Sequence, residues 1–358
     1  MNAFHRTAIS LAVFSLPLAA QQPEKPLLTQ PATSSASTAE PVTLDVVVTD
    51  KSGKPIAGLQ PQDFTVLDNN RPVPVISFSA HSTAALPPTD IDTSTEVIII
   101  LDEVNTPFSR VVYARQGLQT FLKQNQGQLT HPISLGIFTD DGLQLQTKPS
   151  VDGNALAAAL EQKGQGFRKV EPGSEFAAGE IFDISQKGLQ SLVDQESKKP
   201  GKKMVIWLSP GWPLLSSQKS QLTAKQEQLV FSMAIKLSDA LRRGRITFYN
   251  VDPSGSSFSV QRSGFYQNFT KPLTKSDGAQ FGALGLPVLT EQTGGLPIFG
   301  SGAILNSLNH CIDDLSAFYT LSIDPVRADR PNEFHNLEIK IATPGLKART
   351  RNGYYAQP

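Results

Sequence analysis

The run Glu96-Val97-Ile98-Ile99-Ile100-Leu101-Asp102 has no polar alternation: five apolar residues stand side by side between two carboxylates. A strand with one face in water alternates. An unbroken run of this length belongs to a strand covered on both faces, as in a parallel sheet flanked by helices. Met204-Val205-Ile206-Trp207-Leu208 repeats the pattern, and Ile133 to Phe138, Arg245 to Val251 and Leu296 to Phe299 read as further strands, with Leu143 to Gln146 as a short edge strand. Between them the spacing turns helical. Val111, Leu118, Phe121 and Leu122 form one set, Leu222, Leu229, Met233, Leu237 and Leu241 another, and helices are expected over Gly153 to Leu160, Phe176 to Val193 and Ala303 to Leu315. Strands alternating with helices predict an α/β class with a doubly wound, mostly parallel sheet.

On either side the pattern changes to short strands: Val42 to Val48, Asp63 to Asp68 and Val73 to Phe78 at one end, and Phe318 to Ile323, Phe334 to Ile341 and Ala348 to Tyr355 at the other. Three short strands do not bury a core alone. The ends of an inserted domain usually lie close together. Residues 41–82 and 317–358 are therefore expected to pair as one small β-sandwich, with a linker at 83–93 and the α/β domain inserted at 94–316.

Residues 1–20 read as a signal peptide: Arg6, the apolar stretch Thr7 to Leu18, then Ala19 and Ala20. That stretch is shorter than the roughly 20 residues that span a bilayer, and residues 21–40 are a Gln-, Pro-, Ser- and Thr-rich tether. The expectation is a secreted or periplasmic protein with no membrane span after cleavage. Lys+Arg and Asp+Glu number 32 each, which leaves no excess of cations for sequence-independent contact with nucleic acid. Cys311 is the single cysteine, so no intrachain disulfide or thiolate zinc centre is expected.

In a doubly wound sheet ligands sit at the carboxyl ends of the parallel strands. Asp102 to Thr106, Ser209 to Pro213, and the long segment from Asp252 to about Leu286 should meet there. Asn105, Trp212, Phe265 and Tyr266 are the candidate ligand-binding residues, aromatic side chains being effective anchors in protein recognition.

The chain resembles the secreted von Willebrand factor A-related domain proteins of acidobacteria. The resemblance is carried by Val46-Val47-Val48-Thr49-Asp50 with Gly53, Gly58-Leu59, Asp63-Phe64-Thr65-Val66, Leu101 to Thr106, Thr293-Gly294-Gly295, Phe334-His335 and Arg351-Asn352-Gly353-Tyr354-Tyr355. It implies a von Willebrand A-like fold with flanking β segments, an extracytoplasmic location and no enzymatic activity. It also implies a place for a divalent cation, held by a D-x-S-x-S first loop, a second-loop threonine and a later aspartate. The match places Asp102, Thr106, Ser174, Ser209 and Asp252 as the metal candidates. Val104 stands where the middle serine belongs, Ser174 replaces the threonine and Ser209 the aspartate. An octahedral Mg²⁺ site wants more hard oxygens than these. Expected cofactors are therefore none, or weak Mg²⁺ or Mn²⁺ at most.

No nucleophile elbow, P-loop, zinc-protease or dinucleotide motif occurs. Asp140-Asp141 is expected as a turn, His310 and Asp314 as a surface pair, Cys311 as a buried apolar residue, and Lys198-Lys199 with Lys202-Lys203 as a solvated basic loop. The reading is a protein-binding, adhesion-like module with an extracytoplasmic protein partner. The rivals are a structural envelope component and a hydrolase using Asp102 and Asp252.

Overall fold

The computed structural model describes residues 40–83, 95–163, 175–213, 222–255, 263–300 and 302–358. The signal segment and nearly all of the tether and linker expected from the sequence lie outside them. The first strands are β1 (Val42–Thr49), β2 (Phe64–Asp68), β3 (Arg71–Val73) and β4 (Val75–Ser82). The single strand expected from Val73 to Phe78 is thus two. The break falls at Pro74, which has no N–H to give to a ladder, and the halves enter different sheets.

The α/β part follows as β5 (Thr95–Asp102), α1 (Phe108–Leu122), β6 (Gln128–Thr139), β7 (Gly142–Leu145), β8 (Ser150–Asp152), α2 (Gly153–Gln162), α3 (Glu175–Glu196) and β9 (Lys202–Leu208). It continues with α4 (Ala224–Arg243), β10 (Ile246–Val251), α5 (Leu286–Gln292), β11 (Pro297–Ile298) and α6 (Ile304–Asp313). The chain closes with β12 (Ala317–Ile323), β13 (Glu333–Ile341), β14 (Lys347–Arg349) and β15 (Gly353–Ala356). The strand expected over Ala348 to Tyr355 is also divided, into β14 and β15.

The central sheet runs β11-β10-β9-β5-β6-β7. Its first five strands are parallel, while β7 lies antiparallel on β6, as does β8. Asp140-Asp141 is the turn of the β6–β7 hairpin, since Thr139 pairs with Gly142. The continuous apolar run behaves as its pattern requires. Ile99 and Leu101 face a core built with α1, α2 and α6, whereas Ile98 and Ile100 face a second core built with α3, α4 and α5. Helix α1 comes close enough to α6 that a Cβ on Gly117 would lie 2.5 Å from that of Ile304. Helix α4 starts at a capping box: Gln226 N–H donates to Thr223 Oγ1 and Thr223 N–H donates to Gln226 Oε1.

Two further sheets, β14-β1-β12-β4 and β15-β13-β2-β3, each mix strands from the two ends of the chain. Leu44, Val46, Val48, Phe64, Val66, Tyr319, Leu321 and Leu337 pack into one core with them. This is the small sandwich expected from the terminal segments, and the whole is an α/β, von Willebrand A-like architecture. The period of two along β1 and β12 sends Val47 and Phe318 the other way, into the first α/β core.

That face carries a polar junction which the sequence reading did not anticipate. Arg245 donates to Asp45 from Nη2 at 2.5 Å and from Nε at 3.2 Å. Asp314 is buried and accepts from Tyr249 Oη at 2.7 Å and Arg349 Nη2 at 2.5 Å. It does not form the expected surface pair with His310, because the end of α6 points it at β10 and β14. The Lys202-Lys203 pair is likewise not in solvent. Both belong to β9 and are buried, with Lys202 Nζ 3.6 Å from the centre of the Phe318 ring and Lys203 Nζ donating to the carbonyls of Lys199 and Gly244.

Candidate functional site at the carboxyl edge

The chain leaves β5, adds β6 and β7 on one side, then returns to place β9 and β10 on the other. The loops after β5 and β9 therefore diverge, and the crevice between them is the topological switch point. Asp102 ends β5 on one side of it and Ser209 follows β9 on the other.

Asp102 is fully buried and surrounded by donors. Its Oδ1 accepts the N–H groups of Val104 and Asn105 at 2.9 and 2.8 Å. Its Oδ2 accepts Asn105 Nδ2 at 2.9 Å and Trp207 Nε1 at 3.2 Å. Burial pushes the carboxyl above its ordinary value, while the Asn105, Ser209 and Val104 donors pull it back. Asn105 is itself anchored, its Nδ2 also 3.0 Å from Ser185 Oγ on α3. The next residue turns the other way: Glu103 pairs with Arg115 of α1 at 2.8 Å, and Arg115 also caps the carbonyls of Leu160 and Lys163.

Of the other metal candidates, Ser209 reaches this carboxylate, as a hydrogen-bond donor to it. Val104 is buried in the second α/β core and offers no oxygen. Asp252 is turned into its own loop, where Oδ1 accepts Ser254 N–H at 2.8 Å. Ser209 Oγ accepts Gly211 N–H at 3.1 Å. Thr106 is buried close by, and Ser174 lies outside the described residues. N–H groups aimed at both Asp102 oxygens present partial positive charge where a cation would stand. The residues present do not fit an octahedral Mg²⁺. Among the described residues no group of three or more His, Cys, Asp and Glu is placed to hold a metal ion.

Of the residues expected to bind a partner, Asn105 is part-exposed at the crevice, but the aromatic anchors are structural. Trp212 is fully buried, edge-on to Trp207 with ring centres 6.2 Å apart. Tyr266 is 3% exposed and donates its hydroxyl to the Trp212 carbonyl at 2.8 Å. Phe265 packs on Tyr266 and Phe269 and is only part-exposed. The described part of the long segment thus forms a packed cover, contributing Ala279 and Leu284 to the second core. An indole among apolar rings loses water contact over its whole surface, and such burial outweighs exposure for binding.

Among the described residues, the aromatic that does face solvent at this edge is Phe108, 67% exposed at the first turn of α1. Pro107, Ser109 and Arg110 beside it are exposed as well, and Tyr113 on the same helix is 38% exposed. Arg110 lies by Gly255 in the loop after β10, its Nη2 3.5 Å from where a Cβ would stand. Pattern reading passed over Phe108 because an aromatic at a helix start looks like core. The signal available was Pro107 before it, which fixes a helix start at a loop exit.

The fold is a doubly wound α/β domain inserted in a small sandwich, and its switch point is closed by its own side chains. No protein-family model matches the chain, and no curated protein matches it. Among solved structures it is similar to an aerotolerance-related membrane protein from Bacteroides fragilis, at TM-score 0.33 and 10% identity over 62% of this chain and 98% of that one. The SpRpn10 VWA domain gives TM-score 0.30 at 10% identity, over 62% and 97%. The pilus adhesin SpaC from Lactobacillus rhamnosus GG gives 0.36 at 10% identity, over 83% of this chain and 48% of that one. Likenesses this distant carry no ligand or partner to this chain. No helix among the described residues is long and apolar enough to cross a membrane.

Proposed function

We propose that the protein is an extracytoplasmic protein-binding module that recognises its partner without a cation, through the Phe108 edge of the carboxyl face. The supporting observation is Phe108 itself, a phenyl ring two-thirds in water beside Asn105 and Arg110, at the end of the sheet where the fold class places ligands. Aromatic and arginine side chains are the usual anchors of protein interfaces. The dense donor shell on Asp102 supports a structural duty for that carboxylate, holding the β5 and β9 loops together, in place of acid–base work. The test is capture of partners from the native envelope fraction by wild type and Phe108→Ser, each with and without EDTA. Capture that survives EDTA and is lost in Phe108→Ser is expected. Capture abolished by EDTA, restored by Mg²⁺ and indifferent to Phe108 would overturn the reading.

A further inference from the structure

At the opposite end of the sheet, where α4 runs into β10, a half-open cleft separates the α/β part from the sandwich. Arg351, Arg242, Arg245, Asp45, Thr247 and Thr350 are among the residues that line it. Arg245 is neutralised by Asp45 at 2.5 Å and Arg242 by Asp239 at 2.7 Å. Arg351 is 8% exposed and makes no hydrogen bond or ion pair with any described residue. Three guanidiniums thus face two carboxylates, and the uncompensated charge is the one held deepest. Burial and the Arg242 charge draw the Arg351 guanidinium down to about 10, against the pull of Asp45 and Asp239.

A largely buried ion without a close counter-ion is costly, and the Arg351 nitrogens are not sealed off from solvent, so an acceptor entering the cleft can meet them. Its fork matches a carboxylate through two parallel N–H···O bonds. The cleft is narrow and open to solvent on one side, with about 250 Å³ of empty space counted out to the surrounding water. A planar carboxylate presents two oxygens to that fork, with Arg242 and Thr247 also lining the cleft. We infer that this junction is a carboxylate-binding site with Arg351 as its principal donor, bridging the two parts of the molecule. It is independent of the Phe108 edge.

The test uses the chain as it exists, melted in sodium acetate titrated against sodium chloride at constant ionic strength, with sodium phosphate as a comparison. A saturable rise in Tm with acetate is expected, as for any ligand that binds the folded state alone, with a smaller rise in phosphate. Arg351→Met should lose the acetate response and be no less stable than wild type without acetate, since it removes an unpaired buried charge. An arginine that serves packing alone would instead destabilise equally in every buffer when replaced. A flat wild-type response, or an unchanged one in Arg351→Met, overturns the proposal. Should Arg351→Met fail to fold, Arg242→Gln, which also lines the cleft, should raise the acetate midpoint several-fold, and an unmoved midpoint overturns it equally.

Discussion

Lys202 shows how a single residue couples the two parts of the molecule to pH. It is 4% exposed, and burial draws its ammonium down to about 8, opposed by the charges of Asp45 and Asp314. Its value in the unfolded chain is the ordinary 10.5. Between pH 8 and 10.5 the unfolded chain therefore holds a proton that the folded chain has released, so this group makes stability rise with pH across that window. Relative to Lys202→Met, which cannot titrate, wild type should gain on the order of 3 kcal/mol from pH 8 to 10.5, given a value moved from 10.5 to about 8. Urea unfolding of both at several pH values measures it, and a constant difference would show that Lys202 keeps its proton in the fold as it does in the unfolded chain. Sequence reading placed this lysine in solvent because a doublet next to Pro200-Gly201 looks like a turn, and nothing in composition tells which side chain a ring on β12 will cover. Asp102 was legible for the opposite reason: a carboxylate closing an apolar strand has few places to go. What it pairs with was not, since Trp207 stands 105 positions away.

Among the elements, strands and helices of the α/β part were readable because each carries its own period. Boundaries failed where two short strands abut. Val73 to Phe78 and Ala348 to Tyr355 each look like one β run, yet each serves both sheets of the sandwich, the first split by Pro74 and the second by the irregular stretch Thr350 to Asn352. Strand β8 and helix α5 were missed: three residues give no period, and Pro287 sits inside a segment that reads as loop. The sheet order gives β12 particular weight, for it pairs with β1 on one side and β4 on the other. Truncation after Leu315 removes it together with β13, the partner of β2. The strand edges left open should make the product aggregate. Sedimentation and limited proteolysis check this, with a soluble product resistant over residues 41–82 as the contrary result.

The molecule as a whole is held at a seam between sandwich and α/β part, where the Thr293-Gly294-Gly295 motif meets Arg349, Thr350 and the start of the Arg351 to Tyr355 motif. Gly294 has φ of +87°, and a Cβ on it would stand 2.5 Å from the carbonyl carbon of Thr350. Arg349 donates to the Gly294 carbonyl, and Asn352 N–H donates to that of Gln292 at 3.2 Å. Gly294→Ala should therefore cost about 1–3 kcal/mol through backbone strain and overpacking, read as a lower urea midpoint, while Gly302→Ala, where a Cβ meets open space, should not. An equal midpoint for both would show that the seam can shift. The two short motifs were visible in the sequence as separate pieces, but that they touch could not be read from it, because every acceptor at the contact is a backbone carbonyl and carries no side-chain pattern. The interleaving of early and late strands has one more consequence, which concerns time. Strand β1 lies between β14 and β12, so a ribosome that has delivered Thr49 must add some three hundred further residues, through Lys347 to Arg349, before that strand has both its neighbours. Throughout that interval the α/β part can mature alone, and the first forty-odd structured residues wait as a nascent segment that any holding chaperone would see as unfinished.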